Sequence, residues 1–192
     1  MKLHYKGSYN SDPDTLPQRE HLSGAVQFRE PEDIKKLGMI VNGVGLILMV
    51  LLAIPAIIRC APYSGESTGQ FMVGAMLSLF IILPHELLHA ICFREDVYLY
   101  TKFSSGLVFV VGTETMSKGR YILMCLLPNI ILGMIPYLIG MLYPHILFLT
   151  VLGVVAIVSG AGDYLNVYYA ITQMPKHART YLNGFHSYWY LP

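Results

Sequence analysis

Residues 71–93 read FMVGAMLSLFIILPHELLHAICF. As a helix, this stretch is long enough to cross about 30 Å of hydrocarbon, and it is apolar except for the HELLH cluster at residues 85–89. Burying two imidazoles and a carboxylate in hydrocarbon is costly unless a partner offsets their desolvation. The cluster therefore indicates a functional site inside a predicted membrane helix.

The spacing within the cluster indicates the chemistry. Residues four apart lie on one face of a helix, about one turn from each other. His85 and His89 can therefore bind one metal ion, and Glu86 lies beside them, where it can take a proton from water. This is the H-E-x-x-H pattern of zinc hydrolases, which requires a helix as its context. The alternative is a pair of polar residues that make hydrogen bonds between helices.

The composition predicts a membrane protein. The chain of 192 residues is 54% hydrophobic and 13% charged, whereas soluble domains are about 25% charged. Four stretches are apolar and long enough to span a membrane: residues 37–58, 71–93, 121–143 and 146–171. The predicted fold class is an α-helical membrane protein, a bundle of four transmembrane helices with a short β-hairpin between the second and third.

The positive charges predict the orientation in the membrane. Cytoplasmic loops are enriched in Lys and Arg, and all of the 13 Lys and Arg except Arg59 lie on one side if both termini are cytoplasmic. We therefore expect a multi-pass protein of the cell membrane. Its expected parts are a cytoplasmic segment over 1–36, a four-helix membrane domain over 37–171 and an interfacial tail over 172–192. The first 36 residues show no apolar region typical of a cleaved signal peptide, so the first helix is expected to direct insertion.

A catalytic zinc needs a third protein ligand and an open position for water. The second and fourth predicted helices both run inward, and His85 and Asp163 each lie eight residues before the predicted inner ends at 93 and 171. With a rise of about 1.5 Å per residue, the two side chains are expected at nearly equal depth. Asp163 is therefore the expected third ligand. The alternative is a protonated acid that is hydrogen-bonded to a neighbouring helix.

Two amides are expected near the same level. Pro128 removes one helical hydrogen bond and frees a backbone carbonyl, and Asn129 follows it. The Asn129 amide can polarise a substrate carbonyl or orient Asp163; alternatively, the pair forms only a kink with an interhelical hydrogen bond. Asn166 lies three residues after Asp163 on the same face of its helix and is a weaker candidate for a supporting role.

A β-hairpin is predicted directly after the HELLH helix. Residues 97–103 are rich in strand-forming types, residues 104–106 read SSG, which is typical of a turn, and residues 107–111 form a second strand-like run. The free edge of such a hairpin can hold an extended substrate by strand addition. The alternative is a structural hairpin that only caps the bundle.

Together these features resemble a known family. The HELLH helix, the hairpin, Pro128-Asn129 and Gly162-Asp163 resemble a family of bacterial membrane proteins described as zincin peptidases. That family is similar to the site-2 protease group of intramembrane zinc metalloproteases. The resemblance implies Zn²⁺ bound by His85, His89 and Asp163, with Glu86 as the general base.

The predicted function is a membrane-embedded zinc endopeptidase that hydrolyses peptide bonds in or near transmembrane segments. The alternatives are a non-hydrolytic metal-binding membrane protein, such as a carrier or a sensor, and a degenerate zincin. The expected partners are a membrane-protein substrate and the lipid bilayer, and assembly into a homo-oligomer is left open. The net charge of +1 argues against nucleic acid as a partner.

Overall fold

The computed structural model describes residues 1–31, 33–62 and 67–192. The chain divides into two compact units, each made of several chain segments. The first unit consists of residues 1–30, 86–125 and 166–192, and the second consists of residues 31–85 and 126–165.

Groups of strands and groups of helices alternate along the chain. The helices are α1 (Ile34–Cys60), α2 (Ser67–Phe80), α3 (Ile82–Ala90), α4 (Lys118–Pro128), α5 (Ile135–Leu142), α6 (Leu147–Ser159) and α7 (Ala161–Gln173), with a π-helical turn at Asn129–Met134. The strands are β1 (Leu3–Ser8), β2 (Val26–Gln27), β3 (Val97–Lys102), β4 (Leu107–Val111), β5 (Met116–Ser117), β6 (Arg179–Asn183) and β7 (His186–Tyr190). The boundary between the two units falls within α3, α4 and α7.

The second unit is helical and is built around α6. This helix packs against α1, α2 and α5, and the core between them contains Ala56, Tyr137, Val154 and Ile157. The Tyr137 hydroxyl donates to the carbonyl of Leu52 at 3.1 Å. A buried phenol therefore has a hydrogen-bond partner, as the desolvation of its hydroxyl requires.

Close packing of α2 on α6 depends on a glycine. A Cβ added at Gly74 would lie 2.7 Å from the Phe148 carbonyl oxygen and 2.8 Å from Val151 Cβ. Small residues let two helix backbones approach closely in apolar surroundings, where van der Waals packing stabilises the pair. By contrast, a Cβ added at Gly69 in the same helix would meet no atom within 4 Å.

Among the described residues, two helices are long and apolar enough to cross a membrane. They are Lys35–Cys60 and Lys118–Leu142, the latter comprising α4, the π-helical turn and α5. Two further pairs pass the same criterion only together. The first pair, Thr68–Phe80 with Ile82–Ala90, bends by 44°, and the second, Leu147–Ser159 with Ala161–Gln173, bends by 49°. The number of such spans rises to four if each bent pair is one span.

The first unit contains two β-sheets. In one sheet the strand order is β1-β3-β4, with β1 parallel and β4 antiparallel to β3. In the other sheet the order is β2-β7-β6-β5, and every pair is antiparallel. An aromatic cluster stabilises the first sheet, because Tyr100 stacks on Phe109 and Tyr9 meets Phe109 edge-on, both with ring centroids 5.4 Å apart.

The predicted bundle of four transmembrane helices with one hairpin is therefore wrong. The described residues form a mixed α/β fold with two sheets. The hairpin β3–β4 is present, but β1 adds to its other side, with Leu3 paired to Val97. Such a long-range pairing leaves no local pattern in the sequence. The second and fourth expected helices also prove to be bent pairs of helices. The apolar composition of a stretch indicates how long it is, but not whether it forms one continuous helix.

We predict that Gly74→Ala destabilises the protein and that Gly69→Ala does not. The added methyl group at Gly74 overpacks the contact with α6, which costs about 1–3 kcal/mol. At Gly69 the same change lies in open space, and replacing a helical glycine by alanine stabilises by up to about 1 kcal/mol. Thermal unfolding of the purified variants, followed by circular dichroism, measures both effects. A Gly74→Ala variant as stable as the parent would contradict the proposed tight contact.

Candidate metal centre

The HELLH residues lie on α3, as their spacing requires. One potential ligand atom from each of His85, Glu86 and His89 lies within 4.8 Å of the other two. His89 is buried, whereas His85 and Glu86 are partly buried. One helix face therefore presents two imidazoles and a carboxylate to a single small volume.

In the second unit, His85 contacts the carboxylate of Asp163. His85 Nε2 lies 3.1 Å from Asp163 Oδ2, and the two side chains are 13% and 14% exposed. Zinc binds nitrogen and oxygen ligands tetrahedrally at about 2.1 Å, which separates neighbouring ligand atoms by about 3.4 Å. The observed separation thus suits two ligands of one zinc ion, and a carboxylate with imidazole is a donor set that zinc accepts.

The Asp163 carboxylate also has an amide partner. Asn129 Nδ2 donates to Asp163 Oδ2 at 2.8 Å. Asn129 is the first residue of the π-helical turn and is only 3% exposed. A Cβ added at Gly160 would overlap the Asn129 amide, so only glycine leaves room for this side chain.

Gly160 also separates α6 from α7. The N–H of Asp163 donates to the Gly160 carbonyl at 2.9 Å, and Asp163 lies in the first turn of α7. A negative charge is stabilised near a helix N-terminus by the helix dipole. The break at Gly160 therefore places the Asp163 carboxylate in the first turn of a helix.

In the first unit, His89 is held by a backbone carbonyl. His89 Nδ1 lies 2.9 Å from the carbonyl oxygen of Met124 in α4. A carbonyl oxygen can only accept a hydrogen bond, so Nδ1 carries the proton. Nε2 then has the lone pair that a metal ion needs. This arrangement, a ligand histidine whose second nitrogen donates to a fixed acceptor, is typical of metal sites.

Glu86 is anchored to the edge of a sheet. Its Oε2 accepts from the N–H of Val110 at 3.0 Å, and Val110 belongs to β4, which among the described strands pairs only with β3. The N–H of Val110 therefore points away from β3. In an antiparallel pair, alternate residues direct their backbone groups to the same side, so Val108 shares this outer edge with Val110.

A buried ion pair fixes the chain that follows α3. Glu114 accepts from Arg120 Nη1 at 2.6 Å and from the N–H groups of Arg94 and Glu95 at 2.6 and 3.0 Å. Arg120 in turn donates to the Cys92 carbonyl through Nε and Nη2 at 2.8 and 2.6 Å. Burial raises the pKa of Glu114, but the hydrogen bonds from Arg120 and the two N–H groups lower it by more, so the pKa lies below its ordinary value.

The structure brings together most of the residues predicted for the site. His85, Asp163 and Asn129 are in direct contact, and Glu86 and His89 share the helix of His85. Asn166, by contrast, makes no side-chain hydrogen bond within the part of the chain that the structure describes. Their roles as ligands, base and supporting groups stay predictions.

Several groups that hold the site were not predicted. They are the carbonyl of Met124, the N–H of Val110 and the pair Glu114–Arg120. The two backbone groups leave no signal in a sequence, because nearly every residue carries them. Glu114 had a usable signal: it lies between two strongly apolar stretches, where a carboxylate needs a cationic partner.

Comparison with known proteins connects the chain to one family. The sequence model of a family described as "Putative zincin peptidase" matches residues 78–179, more than half of the 192 residues. The matched region contains α3 with its HELLH residues, Asn129 and Asp163. No curated protein and no solved structure matches the chain.

We predict that Glu114→Gln lowers stability at neutral pH, because it removes a charge-assisted contact with Arg120, at a cost of about 1–3 kcal/mol. The pKa of Glu114 is depressed in the folded protein. Its contribution is therefore present above the unfolded pKa of about 4.3 and is lost as the pH falls through the folded pKa.

The measurement is thermal unfolding of both proteins across a pH series. The difference in stability between the parent and Glu114→Gln should shrink in acid, below about pH 4.3. Glu95→Gln changes an exposed carboxylate next to the same contact and serves as the control. A difference between parent and Glu114→Gln that stays constant down to strong acid would contradict the assignment.

Proposed function

We propose that this chain, which belongs to the zincin peptidase family, is a zinc-dependent endopeptidase that cleaves peptide bonds in or near transmembrane segments. The observation that carries the proposal is the grouping of His85, Glu86 and His89 on α3, together with the contact between His85 and Asp163. Family membership supports a zinc metallopeptidase. The intramembrane action and the residue roles are our inference from the geometry.

The proposed zinc ligands are His85, His89 and Asp163. Two imidazoles and one carboxylate leave a fourth position open, as in catalytic zinc sites. Zinc bound there would lower the pKa of water to about 7 and polarise the substrate carbonyl. Because Nδ1 of His89 donates to the Met124 carbonyl, Nε2 is the nitrogen that would bind zinc.

Glu86 is the proposed general base. A carboxylate next to the reacting water takes its proton and then delivers that proton to the leaving amide nitrogen. The hydrogen bond from Val110 holds one oxygen of Glu86, which restricts the rotation of the side chain. A preoriented base is needed because proton transfer requires contact within hydrogen-bond distance.

Asn129 is the proposed orienting residue for Asp163. Its Nδ2 donates to Asp163 Oδ2, the same oxygen that His85 contacts. This contact favours a role in orienting Asp163 over a direct contact with the substrate carbonyl. Groups that hold a ligand in place commonly affect metal affinity about 10–100-fold.

The edge of β4 is the proposed binding surface for the substrate. Extended peptides bind protein edges by adding a strand, and the outer edge of β4 carries the backbone groups of Val108 and Val110. Glu86 is bonded to that same edge. A peptide added beside Val108 would therefore pass close to the proposed base, and a transmembrane segment would have to unwind to bind in this way.

The surface of the second unit supports a location in the membrane. Large apolar side chains are widely exposed on α1 and α2, among them Ile58 at 70% and Phe80 at 72%. Exposed apolar surface of this extent is expected where lipid replaces water. We infer a multi-pass protein of a bacterial cell membrane with both termini in the cytoplasm, related to the site-2 protease group, with a membrane protein as its substrate.

We predict that Glu86→Gln abolishes cleavage without abolishing zinc binding. The amide keeps the shape of the side chain but cannot accept the proton, which should lower the rate about 10²–10⁴-fold. His85→Ala, His89→Ala and Asp163→Ala should each lose zinc. The measurements are zinc content of the purified proteins and cleavage of a transmembrane substrate in proteoliposomes.

Two results would contradict the proposal. One is cleavage by Glu86→Gln at the parent rate, and the other is the absence of zinc from the active parent protein. Uptake of zinc by the proteoliposomes without any cleavage would instead favour a metal carrier. Glu95→Gln, which changes an exposed carboxylate, controls for loss of charge alone.

We predict that Gly160→Ala weakens zinc binding and that Gly162→Ala does not. The methyl group at Gly160 displaces the Asn129 amide from Asp163, whereas a Cβ at Gly162 would meet no atom within 4 Å. The expected loss of zinc affinity is about 10–100-fold, measured by competition with a chelator. Equal affinities of the two variants would refute an orienting role for Asn129.

A further inference from the structure

The carbonyl that holds His89 lacks its usual helical donor. In an α-helix each carbonyl accepts from the N–H four residues later, and for Met124 that residue is Pro128. Proline has no N–H. The Met124 carbonyl therefore has no donor at this position of its own helix, and it accepts from His89 Nδ1 at 2.9 Å instead.

We propose that Pro128 is a positioning residue for His89. By withholding its N–H, it reserves the Met124 carbonyl as the acceptor that selects the Nδ1–H tautomer and fixes the plane of the imidazole. This inference rests on the proposed zinc site, because it is as a zinc ligand that His89 needs an unprotonated Nε2. Pro128 touches neither substrate nor metal in this scheme.

Burial explains why the acceptor has to be reserved. His89 is only 8% exposed. Its Nδ1 therefore needs a hydrogen-bond partner within the protein instead of water. If residue 128 had an N–H, that group would compete for the Met124 carbonyl, and the shared bond to His89 would weaken. The imidazole could then protonate Nε2, which would remove the lone pair that a metal needs.

The placement of Pro128 also argues for a role beyond a kink. Proline is strongly unfavourable in a helix interior, yet Pro128 lies at the end of α4 with the chain continuing directly into a π-helical turn, and its side chain is less than 2% exposed. Pro55 in α1 offers a comparison, because it also lies inside a helix but is exposed.

The test compares Pro128→Ala with Pro55→Ala in the full-length protein. Pro128→Val is measured alongside, since it also restores the N–H while keeping more of the side-chain volume. The first readout is the ¹⁵N spectrum of histidine-labelled, metal-free protein, recorded well above the ordinary histidine pKa of about 6.5, with His89→Gln to assign the signals. The second readout is zinc affinity by chelator competition.

We expect His89 to be a single Nδ1–H tautomer in the parent and in Pro55→Ala, and a mixture of tautomers in the two Pro128 variants. Zinc affinity should fall about 10–100-fold in the Pro128 variants and stay unchanged in Pro55→Ala. A His89 signal that remains wholly Nδ1–H in the Pro128 variants, with parental zinc affinity, would overturn the inference.

Combining the Pro128 variants with Asn129→Ala separates an effect through His89 from an effect through Asp163. If Pro128 acts on His89, its replacement still lowers zinc affinity in the Asn129→Ala background, because the two changes then disturb different zinc ligands. No further loss in the Asn129→Ala background would overturn the inference. If the parent binds no zinc, the proposed function fails, while the tautomer spectra still decide the role of Pro128.

Discussion

Desolvation of the polar side chains on α3 is the constraint on which the rest of the site depends. A buried imidazole or carboxylate is tolerated only when a fixed partner replaces water. Each polar side chain of the HELLH cluster has such a partner: His85 contacts Asp163, Glu86 accepts from Val110, and His89 contacts Met124. The three partners come from a helix N-terminus, a strand edge and a helix carbonyl. The hydrogen-bonding needs of the three side chains therefore explain why each of these partners is found next to α3.

The irregular positions of the helices coincide with the site. The π-helical turn starts at Asn129, and the break at Gly160 comes three residues before Asp163. A regular helix without proline would have paired the Met124 carbonyl internally. Departures from regular helix at functional positions are a known use of π-helical turns. Here the departures supply a carbonyl, an amide and a helix start at the places where polar side chains need them.

The sequence predicted the parts of the site that depend on local spacing. The i, i+4 relation of His85 and His89 follows from helix geometry alone, and the depth comparison pointed to Asp163 because both helices run in the same direction. The sheets could not be predicted in the same way. The pairing of β1 with β3 joins residues far apart in the chain, and Gly160 and Gly162 allow a helix to end in the sequence 159–163 without deciding whether it does. Long-range partners and backbone acceptors, such as Val110 and Met124, belong to the packing and not to the local pattern.

The parallel pairing of β1 with β3 has a consequence for biosynthesis. The ribosome makes Leu3–Ser8 first, but their partner Val97–Lys102 emerges only after α1, α2 and α3 have been synthesised. The sheet that carries Val110 is therefore completed late, and contacts between distant residues also form slowly. While those helices are being synthesised, the N-terminal strand has no partner in this sheet. Until it docks, the sheet that contacts Glu86 through Val110 lacks its third strand.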